Sequence, residues 1–271
     1  MREYPLEVIS TPASDAASRP PVLFVHGSYC GAWVWQEHFI PYFAERGYGS
    51  TALSFRGHGE SKGKRSLHQF GISDYVADVE QVARGLSRPP IVIAHSLGAK
   101  VAERFAETNP VAGVILLAPA SPFGVLTSSL HAAASAPLLW WQLCWAQTLG
   151  VGAVDPGLVA DALFSPELEP EKRLRYAARF QPESSRVALE MTLRSYWPCN
   201  PRAMRSSLVI GGDRDLLIPL AELERTAAVY QSELRVVRGA NHLLMLDTCW
   251  KAVADQVLSW IETQEVLGRA A

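Results

Sequence analysis

Ser96 lies in the run Ile91-Val92-Ile93-Ala94-His95-Ser96-Leu97-Gly98-Ala99, where a branched apolar stretch ends and a helical pattern begins. Ala94 and Gly98 are small enough for the chain to reverse sharply around the serine. Such a turn lifts a serine oxygen to the carboxyl edge of a sheet and points the next backbone N–H at the space beside it. The bland counterpart is a serine that only caps the following helix. A serine hydroxyl is weakly nucleophilic at neutral pH and needs a base, itself oriented by an acid. Among the seven histidines, His242 stands in Arg238-Gly239-Ala240-Asn241-His242, just past the expected strand 234–237, which puts it at the same sheet edge. His95 adjoins the serine on a strand and is expected to point to the opposite face. For the acid, Asp213 and Asp215 compete in Gly211-Gly212-Asp213-Arg214-Asp215-Leu216-Leu217-Ile218-Pro219, and either could be a turn former. The N–H of Ser28, after Val25-His26-Gly27, could hold an oxyanion together with that of Leu97. His26 is expected to brace this loop.

These residues need a frame. The runs 22–26, 51–55, 91–94 and 114–118 are short, branched and bounded by Gly or Pro, as strands buried on both faces should be. Between them the period is helical: Ser73 can cap a segment carrying Val76, Val79, Ala83 and Leu86, and Leu97-Val101-Phe105 follows the third strand directly. This alternation predicts a parallel sheet covered on both faces. It breaks over 121–201, a proline-punctuated helical stretch with pieces at 137–150 and 171–180. It then returns with 208–210, a helix near 221–230, a strand at 234–237 and a final helix bearing Trp250, Val253, Val257 and Trp260. The expected organisation is an α/β core from 1–120 and 202–271 with a helical insertion at 121–201.

The chain has 271 residues, 48% of them hydrophobic, with 25 basic against 27 acidic side chains. That composition can bury a large core and excludes a disordered chain. A net charge of −2 gives no electrostatic footprint for nucleic acid. No run of about 20 apolar residues suits a membrane span. The polar start Met1-Arg2-Glu3-Tyr4-Pro5 lacks the apolar core of a signal peptide. Cys30, Cys144, Cys199 and Cys249 are scattered, so reduced thiols and a cytoplasmic location are expected. Gly57-His58-Gly59 lacks the third glycine of a dinucleotide loop, and no P-loop or H-E-x-x-H occurs, so no cofactor or metal is expected.

Taken jointly, these motifs resemble the α/β-hydrolase fold superfamily across nearly the whole chain. His26-Gly27 comes first, then Arg56-Gly57-His58-Gly59-Glu60-Ser61, like the family's R-G-x-G-x-S loop, then the Ser96 elbow, an acid before Ile218-Pro219, and His242. The resemblance implies a mostly parallel central sheet with a helical cap and a Ser96, Asp215, His242 triad. It selects Asp215 because the family's acid precedes a Val/Ile-Pro pair by three residues. Ala94 departs from the elbow glycine, and Ser54 stands where many members carry Asp. The implied activity is cofactor-free hydrolysis of a carboxylic ester through an acyl-enzyme, similar to the monoacylglycerol-lipase and lysophospholipase-like branch. The same motifs also serve hydroxynitrile-type lyases, perhydrolases, carbon–carbon hydrolases and non-catalytic receptors; Lys172 is the one lysine of the insertion. The expected partner is a small-molecule ester, with a homodimer an open option. Trp140, Trp141 and Trp145, with Leu138, Leu139 and Leu143, either pack the insertion onto the core or line a hydrophobic substrate pocket beside Tyr29.

Overall fold

The computed structural model describes residues 4–12, 19–193 and 200–270. Cys199 lies outside the described residues; Cys30, Cys144 and Cys249 are free thiols. Among the described residues one sheet holds β1 (Val8–Thr11), β2 (Val22–Val25), β3 (Ser50–Leu53), β4 (Ile91–His95), β5 (Gly113–Leu117), β6 (Ser207–Gly212) and β7 (Glu233–Val237). Their spatial order is β1-β3-β2-β4-β5-β6-β7. Strands β2 to β7 run parallel, and β1 pairs antiparallel with β3 at the edge.

Helices α1 (Trp33–Gln36) and α2 (Phe39–Glu45) follow β2; α3 (Ile72–Ala83) follows β3 and α4 (Leu97–Thr108) follows β4. Between β5 and β6 lie α5 (Leu126–Ser135), α6 (Pro137–Thr148), α7 (Pro156–Leu163), α8 (Pro170–Ala177) and α9 (Ser185–Leu193). Helix α10 (Leu220–Tyr230) links β6 to β7, and α11 (Trp250–Ala270) is the last element among the described residues.

Alternation along the strands divides the core in two. Val22 and Phe24 of β2 face a cluster with Phe39, Phe43, Val253, Val257 and Trp260, whereas Leu23 and Val25 face Tyr75, Val79, Val101, Phe105 and Tyr230. The central strands are buried on both faces, which explains why they are apolar throughout rather than alternating. The edge strand β1 shows the other pattern, exposed and half-buried in turn, and its polar-leaning sequence gave no strand signal.

The start of α3 departs from the sequence expectation. Gly71, not Ser73, is the N-cap, and Asp74 in the first turn accepts the Gly71 N–H at 2.9 Å. Asp74 and Asp78 of the same helix clamp Arg56: its Nη2 reaches Asp78 Oδ1 at 2.6 Å and its Nη1 reaches Asp74 Oδ1 at 3.1 Å. An acid inside the first turn satisfies the helix start better than a serine one residue earlier, and here it also anchors the loop after β3.

The chain winds from β2 outward to β3 and then crosses back to β4 on the other side of β2. Loops leaving the carboxyl ends of β2 and β4 therefore diverge, and a crevice opens at this switch point.

Candidate active site

Ser96 occupies the turn between β4 and α4 with φ 52° and ψ −117°, a conformation that L residues adopt only under constraint. The constraint comes from both sides. Its N–H donates to Leu117 O at 3.0 Å, and its carbonyl accepts from Ala99 and Ala120. A Cβ added to Gly98 would come within 2.4 Å of the His26 carbonyl oxygen, so the start of α4 can pass β2 only without a side chain there. The Ser96 hydroxyl makes no cap hydrogen bond to α4. It lies 3.1 Å from His242 Nε2.

His242 Nδ1 is 2.7 Å from Asp215 Oδ2. A carboxylate only accepts, so Nδ1–H is the donor, which leaves Nε2 with the lone pair that can accept the Ser96 O–H. Asp215 is itself held: its Oδ1 accepts the N–H groups of Leu217 at 2.8 Å and Ile218 at 3.0 Å. Asp213 has another task. Its Oδ1 accepts the Gly239 N–H, tying the β6 loop to the turn before His242. Gly212 is required by the same closeness, since a Cβ there would meet Ala240 O at 2.0 Å.

The loop after β2 completes the near wall. Tyr29 has φ 62°, and Ser28 and Leu97 border the same cavity as Ser96. Neither the Ser28 N–H nor the Leu97 N–H has a partner among the described residues. His26 is fully buried; its Nε2 accepts the Phe55 N–H at 3.0 Å, and its Nδ1–H donates to Gly27 O at 2.8 Å. Both ring nitrogens thus brace backbone. Ser54, where the resemblance led one to look for an aspartate, borrows a carboxylate from elsewhere in the chain. Its Oγ donates to Glu7 Oε2 at 2.5 Å and accepts the Ala32 N–H at 2.8 Å.

Burial, and then the neighbouring His58, push the His26 imidazole down to about 3. The unfolded chain binds this proton near the ordinary value of 6.5, so stability is full above 6.5 and falls as the pH is lowered toward 3. Each pH unit in that window should cost about 1.4 kcal/mol for this one group. Melting temperature followed from pH 7 to pH 4 should show the decline, and His26→Gln, which cannot take the proton, should make it shallower, the buried His95 contributing the same sign of slope.

A cavity of about 580 Å³ opens over Ser96 and is walled mainly by apolar side chains of the 121–201 segment, among them Val125, Trp140, Leu143, Val159 and Phe180. Trp140 and Tyr29 line it, and the Tyr29 hydroxyl donates to Gln147 Oε1 at 3.0 Å. Trp141 and Trp145 do not line it. They are 53% and 41% exposed on the outer side of α6, which corrects their expected place in the pocket. Helix α6 is apolar around most of its circumference, so its sequence carries no stripe to say which tryptophan turns inward.

His95 also departs from expectation: it borders the cavity, and its ring centroid is 4.7 Å from that of His242. Strand alternation stops at Ser96, whose backbone has left the extended region. Glu183 gave no sequence signal. It lines the cavity while its Oε1 accepts from Tyr75 Oη at 2.8 Å and lies 3.4 Å from His58 Nε2, fastening the 121–201 segment to the loop after β3. Burial pushes its carboxyl up, but His58 and the hydrogen bonds of Ser184 and Tyr75 bring it below the usual range, so it is ionised. Among the described residues no three His, Cys, Asp or Glu side chains cluster as a metal site requires, and no helix is long and apolar enough to cross a membrane.

Comparison with known proteins agrees with this architecture. A monoacylglycerol lipase of Mycolicibacterium smegmatis is 27% identical over 268 residues, covering 91% of this chain and 89% of the relative. Among solved structures, a thermophilic esterase from Thermogutta terrifontis superposes with a TM-score of 0.71 at 20% identity, over 96% of this chain and 93% of the other. A soluble variant of monoglyceride lipase from Saccharomyces cerevisiae gives a TM-score of 0.72 at 17% identity, over 96% and 92%. At those identities the two structures speak for the fold. The family model matches residues 22–256, and by that match the chain belongs to the alpha/beta hydrolase family.

Proposed function

We propose that the protein is a carboxylic ester hydrolase that works through an acyl-enzyme on a hydrophobic small-molecule ester. The observation that carries this reading is the linear relay at the floor of an apolar cavity, with 3.1 Å from Ser96 Oγ to His242 Nε2 and 2.7 Å from His242 Nδ1 to Asp215 Oδ2. The monoacylglycerol lipase similarity supports the same class of reaction.

In this reading Ser96 Oγ attacks the ester carbonyl carbon as its proton passes to His242 Nε2. The carbonyl oxygen becomes an oxyanion held by the N–H groups of Ser28 and Leu97. Collapse breaks the ester bond, and the leaving alkoxide takes the proton from His242. Water then attacks the acyl-enzyme, gives its proton to His242, and Ser96 leaves as the hydroxyl. Asp215 keeps the imidazole in the required tautomer and offsets the charge of the imidazolium. Residues 121–201 act as a cap that supplies the apolar wall.

A panel of p-nitrophenyl esters from acetate to octanoate tests this, run beside a serine-directed phosphonate probe. Each methylene buried in the cavity should add about 0.8 kcal/mol, a rise of roughly fourfold in kcat/KM per carbon until the cavity is full. Trp140→Ala should flatten the dependence while sparing the acetate ester. Trp141→Ala and Trp145→Ala should leave it unchanged, since both side chains face outward. A wild type indifferent to chain length would overturn the apolar-substrate reading.

A further inference from the structure

His95 ends β4, one residue before Ser96, and stands outside the three-residue relay although it is buried against it. Its Nε2 lies 3.0 Å from the main-chain oxygen of His242; a carbonyl only accepts, so Nε2–H donates. Its Nδ1 is buried with no hydrogen-bond partner, and a Cβ added to Gly27 would come within 2.7 Å of it. One imidazole therefore adjoins the serine in sequence, bonds the backbone of the base and packs against the loop that carries Ser28.

The other ties around His242 explain why this bond matters. Asn241 Nδ2 donates to Phe164 O at 3.0 Å, and Leu243 N donates to Leu163 O at 3.3 Å. Both neighbours of His242 are thus fastened to the 121–201 segment, which a substrate must pass. The bond from His95 fastens His242 itself to the central strand of the sheet.

We propose that His95 is a positioning residue whose Nε2–H holds the His242 backbone so that its imidazole stays within reach of Ser96 Oγ. This rests on the reading of Ser96 and His242 as nucleophile and base. Burial first, then the nearby His242 and His26, push the His95 imidazole well below its ordinary value, so it acts as a neutral donor and not as a second base.

Three variants test it. Glutamine places an amide N–H near the position of Nε2, asparagine stops short of it, and leucine has no donor. His95→Gln should keep kcat within about threefold of wild type, whereas His95→Asn and His95→Leu should lose about ten- to hundredfold with KM little changed, the scale of a small misplacement of a catalytic group. The rate of phosphonate labelling of Ser96 should follow the same order, and the acid limb of the pH–rate profile should coincide for wild type and His95→Gln. Melting temperatures monitor the fold, and if His95→Leu does not fold, the contrast of glutamine with asparagine carries the test. Labelling and kcat that are equal in wild type and His95→Asn, or that fall equally in His95→Gln and His95→Asn, would overturn the role of His95 alone. A wild type that neither hydrolyses esters nor takes the label would overturn the ester-hydrolase reading and this inference with it.

Discussion

Replacing Ser96 with alanine is expected to lower ester turnover by about 10⁵- to 10⁶-fold, the scale seen when the nucleophile of a triad is removed. Under the proposed mechanism, truncation deletes the atom that would form the acyl bond and leaves the rest of the site in place. Residual catalysis would come from the oxyanion donors and the cavity alone. The fold should be little affected, because the strained backbone at Ser96 is held by its own N–H and carbonyl bonds and not by the hydroxyl. Substrate binding should survive, so KM should change far less than kcat. Intact mass after phosphonate treatment should shift in the wild type and stay unchanged in Ser96→Ala. Full activity in the variant, or a label on another residue, would remove Ser96 from the mechanism.

Asp215→Asn is expected to cost about 10⁴-fold in kcat, with Asp213→Asn costing far less. The amide of the asparagine presents either a donor or an uncharged acceptor to His242 Nδ1. In the first case the ring takes the other tautomer and Nε2–H faces Ser96, so no base remains; in the second the imidazolium loses its counter-charge. Asp213 touches the Gly239 N–H and not the imidazole. Its substitution should therefore appear as a modest loss of stability in the loop that carries His242. Steady-state kinetics and melting temperatures of both variants read the difference. Equal and small losses from both would mean that something other than Asp215 orients His242.

The chain's own pattern determined most of the frame. Strands β2 to β6 are short runs between turn formers that burial on both faces keeps free of charge, whereas β7, at the sheet edge, is partly exposed and carries Glu233 and Arg235. The tight passage at Gly98 and the order of Ser96, the aspartate pair and His242 along successive carboxyl ends are likewise written locally. Two aspartates two residues apart were not separable from residue types alone, since either suits a turn. Which one meets the imidazole depends on how the loops after β6 and β7 lie against each other, a contact between segments 27 residues apart.

Only the tertiary structure decided the remainder, and in each case the cause is a contact between distant segments. Glu7 reaches Ser54 across 47 residues and supplies the carboxylate that the loop after β3 lacks. Glu183 crosses 108 residues to Tyr75. His95 and Ser96 both border the cavity because the backbone leaves the extended region at Ser96, so the strand alternation that still holds at His95 does not carry across to the serine. Trp140 lines the cavity and Trp141 faces outward because neighbours along a helix point about 100° apart, and packing against other helices sets the rotation. Periodicity in a sequence records that a face is buried. It holds no record of what lies on the other side, because that is fixed by the closure of the whole chain.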